Sequence, residues 1–325
     1  MFRRALALLT LGAFWTLALA QQPAATAPWP SKTVRIIVGF PAGSSPDLTA
    51  RTLAEPLSRA LGQSVIVENK VGAGGNIAAD YVAKATDDHT IGLMINGNLT
   101  IAKLLNPRLA YDPLKDLTPI SLIGVSPLVL TAPVGSSGAT AQEFLAAARA
   151  AGDKWNYGSP GVGTVGHIGM EWLKGKTGIN PLHVPYPGYP QVANAMIGGQ
   201  LQLSMLPPAL AMAQIRAGKL RAIGVTSGGR STLVPELPSM AEAGVQDFSL
   251  EIWNAVAAPK SLPKPVAAQL STLLSDIARS PEIRQKLFQQ GWQVAGTTAE
   301  GLAKRIKLDT ALLGDVIAKR GIKAE

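Results

Sequence analysis

The chain has 325 residues, 47% of them hydrophobic and 16% charged, enough to bury one large core or two smaller ones. It contains no cysteine, which excludes disulfides, thiolate chemistry and cysteine metal sites. The net charge is +9, but Lys and Arg are scattered and aromatics make up 5%, which argues against nucleic acid and fits attraction for small anions.

In chain order, Arg3 and Arg4 precede an apolar run over 5–19, and Ala18-Leu19-Ala20 is a small-x-small cleavage site. Residues 1–20 read as a secretory signal peptide and 21–30 as a Gln/Pro/Ala tether. The run is short for a retained anchor. Export without disulfides points to the periplasm. Removing Arg3 and Arg4 takes the net charge from +9 to +7.

Residues 34–38 form a β-branched strand, and Phe40-Pro41-Ala42-Gly43-Ser44-Ser45 breaks it with turn formers. Leu48, Leu53 and Leu57 then recur at helical spacing, with Ser45 as the expected cap, Pro46 at the first helical position and Asp47 in the first turn. A strand, a small-residue loop and a helix start make an anion site, because the first N–H groups of the helix lack partners and the dipole is positive there. The same unit recurs twice: strand 64–68 with a Gly-rich loop and a helix expected to be capped by Asn76, and strand 90–95 ending in Asn96-Gly97-Asn98. This is the pattern of an α/β fold with a parallel sheet, whose ligands lie beyond the carboxyl ends of the strands.

Two apolar strands fill 117–133, and the second is expected to cross into another lobe. Strand 155–159 leads through Pro160-Gly161-Val162-Gly163-Thr164-Val165-Gly166-His167 into a helix, a second junction of the opening kind. Strands over 182–186 and 200–205 follow, and strand 220–226 is expected to form the returning crossover. The first lobe resumes at 253 and ends in helical stretches over 263–279, 281–289 and 298–320. The expected boundaries are therefore 31–132 plus 253–325 for the first lobe and 133–252 for the second, with a hinged ligand cleft between them.

Gly161-x-Gly163-x-x-Gly166 matches a dinucleotide fingerprint, but the confirming acidic residue is replaced by Tyr186 and Pro187, leaving a turn or an anion loop. His167 and Glu171 share a helix face without a third ligand in register, so no metal is expected. No GxSxG surrounds any serine, including Ser159, and no base is paired with a nucleophile, so neither catalysis nor a cofactor is expected. Asp47 is either part of the helix start or a carboxylate facing a ligand hydroxyl or ammonium. The candidate ligand-binding residues are Phe40, Pro41, Ala42, Gly43, Ser44, Asp47, Asn76, Asn98, Ser159, Gly161, Gly163, Thr164, His167 and Tyr186.

Several stretches together carry a family resemblance. They are Val38-Gly39-Phe40-Pro41-Ala42-Gly43 with Asp47 and Arg51, Val67-Glu68-Asn69-Lys70 with Gly72-Ala73-Gly74-Gly75-Asn76, and Tyr111-Asp112-Pro113. To these add Gly161-Val162-Gly163-Thr164 with His167, Val184-Pro185-Tyr186, Ile197-Gly198-Gly199-Gln200, Ala217-Gly218-Lys219-Leu220-Arg221-Ala222 and Ala241-Glu242-Ala243-Gly244. In this order they resemble the tripartite tricarboxylate transporter substrate-binding proteins, the Bug receptors, over essentially the whole mature chain.

The resemblance implies a monomeric two-lobe periplasmic binding protein of type II that closes on a small organic carboxylate. Two junctions, 41–47 and 159–167 here, would hold it largely through backbone amides and hydroxyls. The implied partners are the membrane subunits of a tripartite tricarboxylate transporter or a sensor ectodomain. A ligand sensor and a secreted hydrolase are the alternative functions, the latter disfavoured by the missing nucleophile. Where the family has Gly-Gly-Ser/Gly-Thr-Asp, this chain has Gly43-Ser44-Ser45-Pro46-Asp47, which narrows the loop and removes one N–H. Where the family often has Met-Phe-Asp, it has Ser204-Met205-Leu206, losing a carboxylate near the cleft. The second departure also makes the cleft wall more apolar and shifts the expected ligand from an amino acid toward a mono- or dicarboxylate with an apolar or aromatic body.

Overall fold

The computed structural model describes residues 29–323, so the expected signal peptide and most of the tether lie outside the described residues. Two sheets organise the chain. In the first, β1 (Val34–Val38), β2 (Val65–Asn69) and β3 (Thr90–Ile95) are parallel, with β1 in the middle. α1 (Ser45–Leu61) and α2 (Asn76–Ala83) connect them. After β3 a wide helical turn, Gly97–Ile101, runs into the short α3 (Ala102–Leu105). β4 (Leu117–Pro127) completes the outgoing path.

Leu128 alone separates β4 from β5 (Val129–Pro133), which belongs to the second sheet. That sheet is built with α4 (Ala141–Ala151), β6 (Asn156–Ser159), α5 (Val165–Thr177), β7 (Leu182–Pro185), α6 (Tyr189–Ile197), β8 (Leu203–Leu206), α7 (Pro208–Arg216) and β9 (Leu220–Val225). Its order is β7-β6-β8-β5-β9. The chain returns through 226–250 to β10 (Glu251–Pro259), then α8 (Lys264–Arg279), α9 (Pro281–Gln289), β11 (Gln293–Val294) and α10 (Ala299–Arg320). The first sheet reads β11-β4-β10-β3-β1-β2.

Local chemistry explains these elements. The β-branched β1 is buried along most of its length, as a strand covered on both faces requires. α1 buries Ala50, Leu53, Ala54 and Leu57 at helical spacing and stops at Gly62, whose left-handed backbone (φ 65°) suits glycine. Thr140 and Glu143 form a reciprocal capping box at α4.

Four expectations are corrected. The sheets are mixed rather than parallel: β10 runs antiparallel to β3 and β4, and β5 antiparallel to β8 and β9. The chain changes sheets at Leu128, not after Ala132, because all of β5 pairs with β8 and β9. β9 is an edge strand of the second sheet, so 226–250 forms the return path. Finally, α10 does not belong to the first lobe alone. Leu302 and Ile306 pack with Ile37 and Trp253 in the first lobe, whereas Leu313, Val316 and Ile317 pack with Ile168 and Leu173 in the second. Trp253 Nε1 donates to Asp309 Oδ2 at 2.6 Å, and Arg305 Nη2 donates to Glu251 Oε2 at 3.1 Å, fixing the helix on β10.

Candidate functional site

Two helix starts, one from each lobe, converge on a single enclosed cavity. Phe40, Ser44, Ser45 and Pro46 at the start of α1 line one side, and Pro160, Thr164 and Val165 at the start of α5 line another. The remaining wall is Ile95 and Asn96 after β3, Ile252 and Asn254 on β10, and Pro207, Tyr189 and Trp292. The enclosed space is about 40 Å3. A wider groove of about 570 Å3, lined by Gly72–Gly75, Gly161, Gly163, Asn76 and Tyr186, lies beside it.

At α1 the N–H groups of Ser45 and Asp47, and at α5 those of Val165 and Gly166, find no acceptor among the described residues. These are the orphan donors that a helix start offers to an anion. The cap of α1 is Ser44, not Ser45, and its side chain makes no capping bond. Instead Asp47 reaches back, its Oδ2 accepting from Gly43 N at 2.9 Å.

Asp47 does not face the cavity. It is buried, and its oxygens accept from Gly43, from Arg51 Nε at 3.0 Å and from Asn69 Nδ2 at 2.9 Å. Burial pushes its pKa up, but the hydrogen bonds from Arg51, Asn69 and Gly43 together outweigh burial and hold it below the usual carboxylate value. Asn69 Nδ2 also donates to Phe40 O at 2.9 Å, so the carboxylate and the amide latch both ends of the 40–43 loop.

The second loop is held from behind by histidines. Gly163 N donates to His167 Nδ1 at 3.3 Å, and the His167 ring stacks on His183 with centroids 4.3 Å apart. His183 stacks in turn on Tyr157 and lies 2.7 Å from Ser159 Oγ, which accepts from Gly161 N. Burial first, then the neighbouring His167 and Lys174, depress the His183 pKa to about 3, so the ring is neutral. Thr164 Oγ1 donates to Gly161 O at 2.7 Å, tightening the same turn.

A third bracket holds the Gly-rich loop. Asn76 does not cap α2, whose cap is Gly75. Its Oδ1 accepts from Tyr111 OH at 2.8 Å and from Asn98 Nδ2 at 3.0 Å, and Asn98 Nδ2 also reaches Gly74 O. The lobes meet along these loops: a Cβ on Gly97 would come within 2.7 Å of Gly163 O, and one on Gly74 within 2.9 Å of Val162 O.

The expected residues thus divide by position. Phe40, Ser44 and Thr164 line the cavity; Asn76, Gly161, Gly163 and Tyr186 line the adjoining groove. Asp47, Asn98, Ser159 and His167 support the loops from behind. Pro41, Ala42 and Gly43 line neither space, because the chain turns outward there and Ala42 and Gly43 are exposed. Sequence reasoning missed Asn96, Tyr189, Asn254 and Trp292. Asn254 carried a signal, a lone amide inside the apolar run Trp253-Asn254-Ala255-Val256. His183, expected from sequence to be structural or exposed, is structural: it sits directly opposite Tyr157 in the β6–β7 register. Among the described residues, no three His, Asp or Glu side chains are placed to hold a metal, and no helix is long and apolar enough to cross a membrane.

Known proteins agree with this architecture. The family model described as "Tripartite tricarboxylate transporter family receptor" matches residues 49–322. The "UPF0065 protein in tcbD-tcbE intergenic region" of a Pseudomonas species is 34% identical over 284 residues, covering 87% of this chain and 84% of the relative. Periplasmic binding protein BugD superposes with a TM-score of 0.85 at 32% identity, covering 91% of this chain and all of that one (100%). The R. palustris protein Rpa4515, solved with adipate, superposes at 0.87 with 29% identity, covering 91% and 99%. These are solute-binding proteins of two-lobe α/β fold rather than enzymes. The chain belongs to the tripartite tricarboxylate transporter receptor family.

Proposed function

We propose that the exported chain captures a small organic carboxylate in the periplasm and delivers it to the membrane subunits of a tripartite tricarboxylate-type transporter. The observation that carries this reading is the convergence of two helix starts, from different lobes, on one cavity. Each start alone attracts an anion weakly; closing the hinge brings both sets of N–H groups onto one carboxylate. The adipate solved with the R. palustris relative supports a carboxylate as the ligand class.

The test is isothermal titration and thermal shift of the mature protein against mono-, di- and tricarboxylates, amino acids and nucleotides. A ligand at 100 times its dissociation constant stabilises the folded state by about 2.7 kcal/mol. A carboxylate is expected to bind with one site per chain. Nucleotide binding, or turnover of an ester, would overturn the reading. Delivery is tested by uptake of the identified acid in cells with and without the receptor.

A further inference from the structure

The enclosed space between the two helix starts is bounded almost entirely by carbon. Phe40, Ile95, Val165 and Ile252 line it together with the rings of Tyr189 and Trp292. Three more lining residues, Pro46, Pro160 and Pro207, are prolines and have no N–H to offer. The polar side chains around it keep their heteroatoms covered. Ser44 Oγ, Asn96 Oδ1, Tyr189 OH, Asn254 Oδ1 and Trp292 Nε1 have almost no accessible surface. Asn96 Nδ2 donates to Glu251 O, Asn254 Nδ2 to Thr49 Oγ1, and Thr164 Oγ1 to Gly161 O.

No Asp, Glu, Lys or Arg lines the space. The carboxylate next to it in sequence, Asp47, is taken up by Gly43, Arg51 and Asn69. The polar capacity of the site is therefore concentrated in the N–H groups of the two helix starts, which serve carboxylate oxygens. The rest of the ligand meets apolar surface. A methylene placed there gains by leaving water. A hydroxyl gives up its water without finding a partner, and an ammonium gives up more, with no carboxylate to pair it. Nothing in this contrast depends on how many carboxylates the acid carries.

We propose that this receptor selects acids whose body is bare hydrocarbon, and that Phe40, Ile95, Ile252 and Trp292 set its preference against hydroxy and amino acids. The inference rests on the receptor reading above and narrows it.

The test is titration of the mature protein with two matched series. One is butyrate, 3-methylbutyrate, 3-hydroxybutyrate and 3-aminobutyrate; the other is succinate, methylsuccinate, malate and aspartate. In whichever series binds, the hydroxy acid is expected to bind roughly tenfold or more weakly than the unsubstituted acid, and the amino acid more weakly again. The methyl acid matches the hydroxyl in size, so it is expected to stay well above the hydroxy acid. Ile252→Thr places a hydroxyl on the apolar wall and is expected to narrow the gap between unsubstituted and hydroxy acids; Ile95→Thr serves if that variant fails to fold. A hydroxy or amino acid that binds as tightly as its parent would overturn the selection and leave the carboxylate receptor standing. So would a methyl acid weakened as much as the hydroxy acid, which would make size the criterion, or a gap that neither variant changes. Binding of none of the eight overturns the selection too, and the broader panel above then judges the receptor reading.

Discussion

Thr226 and Leu128 hold each other across the two strands of chain that join the lobes: Thr226 N donates to Leu128 O, and Leu128 N donates to Thr226 Oγ1, both at 2.8 Å. Thr226 also exchanges bonds with Leu250, its Oγ1 donating to Leu250 O and its carbonyl accepting from Leu250 N, each at 2.7 Å. One fully buried hydroxyl therefore pins the outgoing path to the returning one. Thr226→Val keeps the shape but leaves Leu128 N and one lone pair of Leu250 O unsatisfied. The expected loss is about 1–3 kcal/mol of stability. Urea unfolding measures it, and a loss within error would mean the clasp contributes nothing.

Asp47 sets the shape of the 40–43 loop from behind. Its ion pair with Arg51 is worth little by itself, since the Arg51 side chain is half exposed. The bonds to Gly43 and Asn69 are the ones that matter, so Asp47→Ala is expected to cost about 1–3 kcal/mol. It should also weaken the bound acid by relaxing the 40–43 loop, whereas Arg51→Ala should change affinity little. Titration of both variants checks the contrast; equal losses would place the effect in the ion pair.

Gly97 marks how closely the lobes approach. A methyl group there would come within 2.7 Å of Gly163 O, a backbone atom of the opposite lobe that cannot rotate away. Gly97 lies outside the positive-φ set, so alanine strains no backbone of its own. Gly97→Ala is expected to fold normally and to bind the acid at least tenfold more weakly by holding the lobes apart. Calorimetry and small-angle scattering with ligand test this; unchanged affinity would show that the loops separate at no cost.

His183 makes stability depend on pH. Its pKa falls from 6.5 to about 3 on folding, so between those values the unfolded chain binds a proton that the folded chain does not. Stability therefore falls as pH drops from about 6.5 toward 3, with a limiting slope of about 1.4 kcal/mol per pH unit. Asp47 adds to the loss only below its unfolded value of 3.8, because its folded pKa is lower still. The melting temperature is expected to decline from pH 6.5 to 4.5, and His183→Phe, which keeps the ring stack, should flatten that decline. An unchanged slope in the variant would remove His183 as its source.

Much of the site's scaffold could be read along the chain. The strand 34–38, the small-residue turn and the Pro46-Asp47 helix start are local features, each set by propensity and by donors that a helix cannot satisfy itself. The same holds for the 159–167 junction, so two loop-to-helix junctions and an α/β class followed from the residues alone. What the loops' neighbours do was not legible, because it depends on partners far apart in sequence. Asp47 is consumed by Asn69, 22 residues away, and Asn98 by Asn76, also 22 away, so residues of the right type at the right loop turned out to brace it.

The sequence by itself determined where helices start, and hence where the orphan N–H groups are. Only the tertiary structure decided that two of those starts face one cavity, because that requires β4 to pass into β5 through the single residue Leu128 and the chain to return beside it. It also decided the far wall. Asn96 and Asn254 line the same cavity because β3 and β10 pair antiparallel, with Asn254 opposite Ile95, a register fixed by long-range sheet packing that no local pattern encodes.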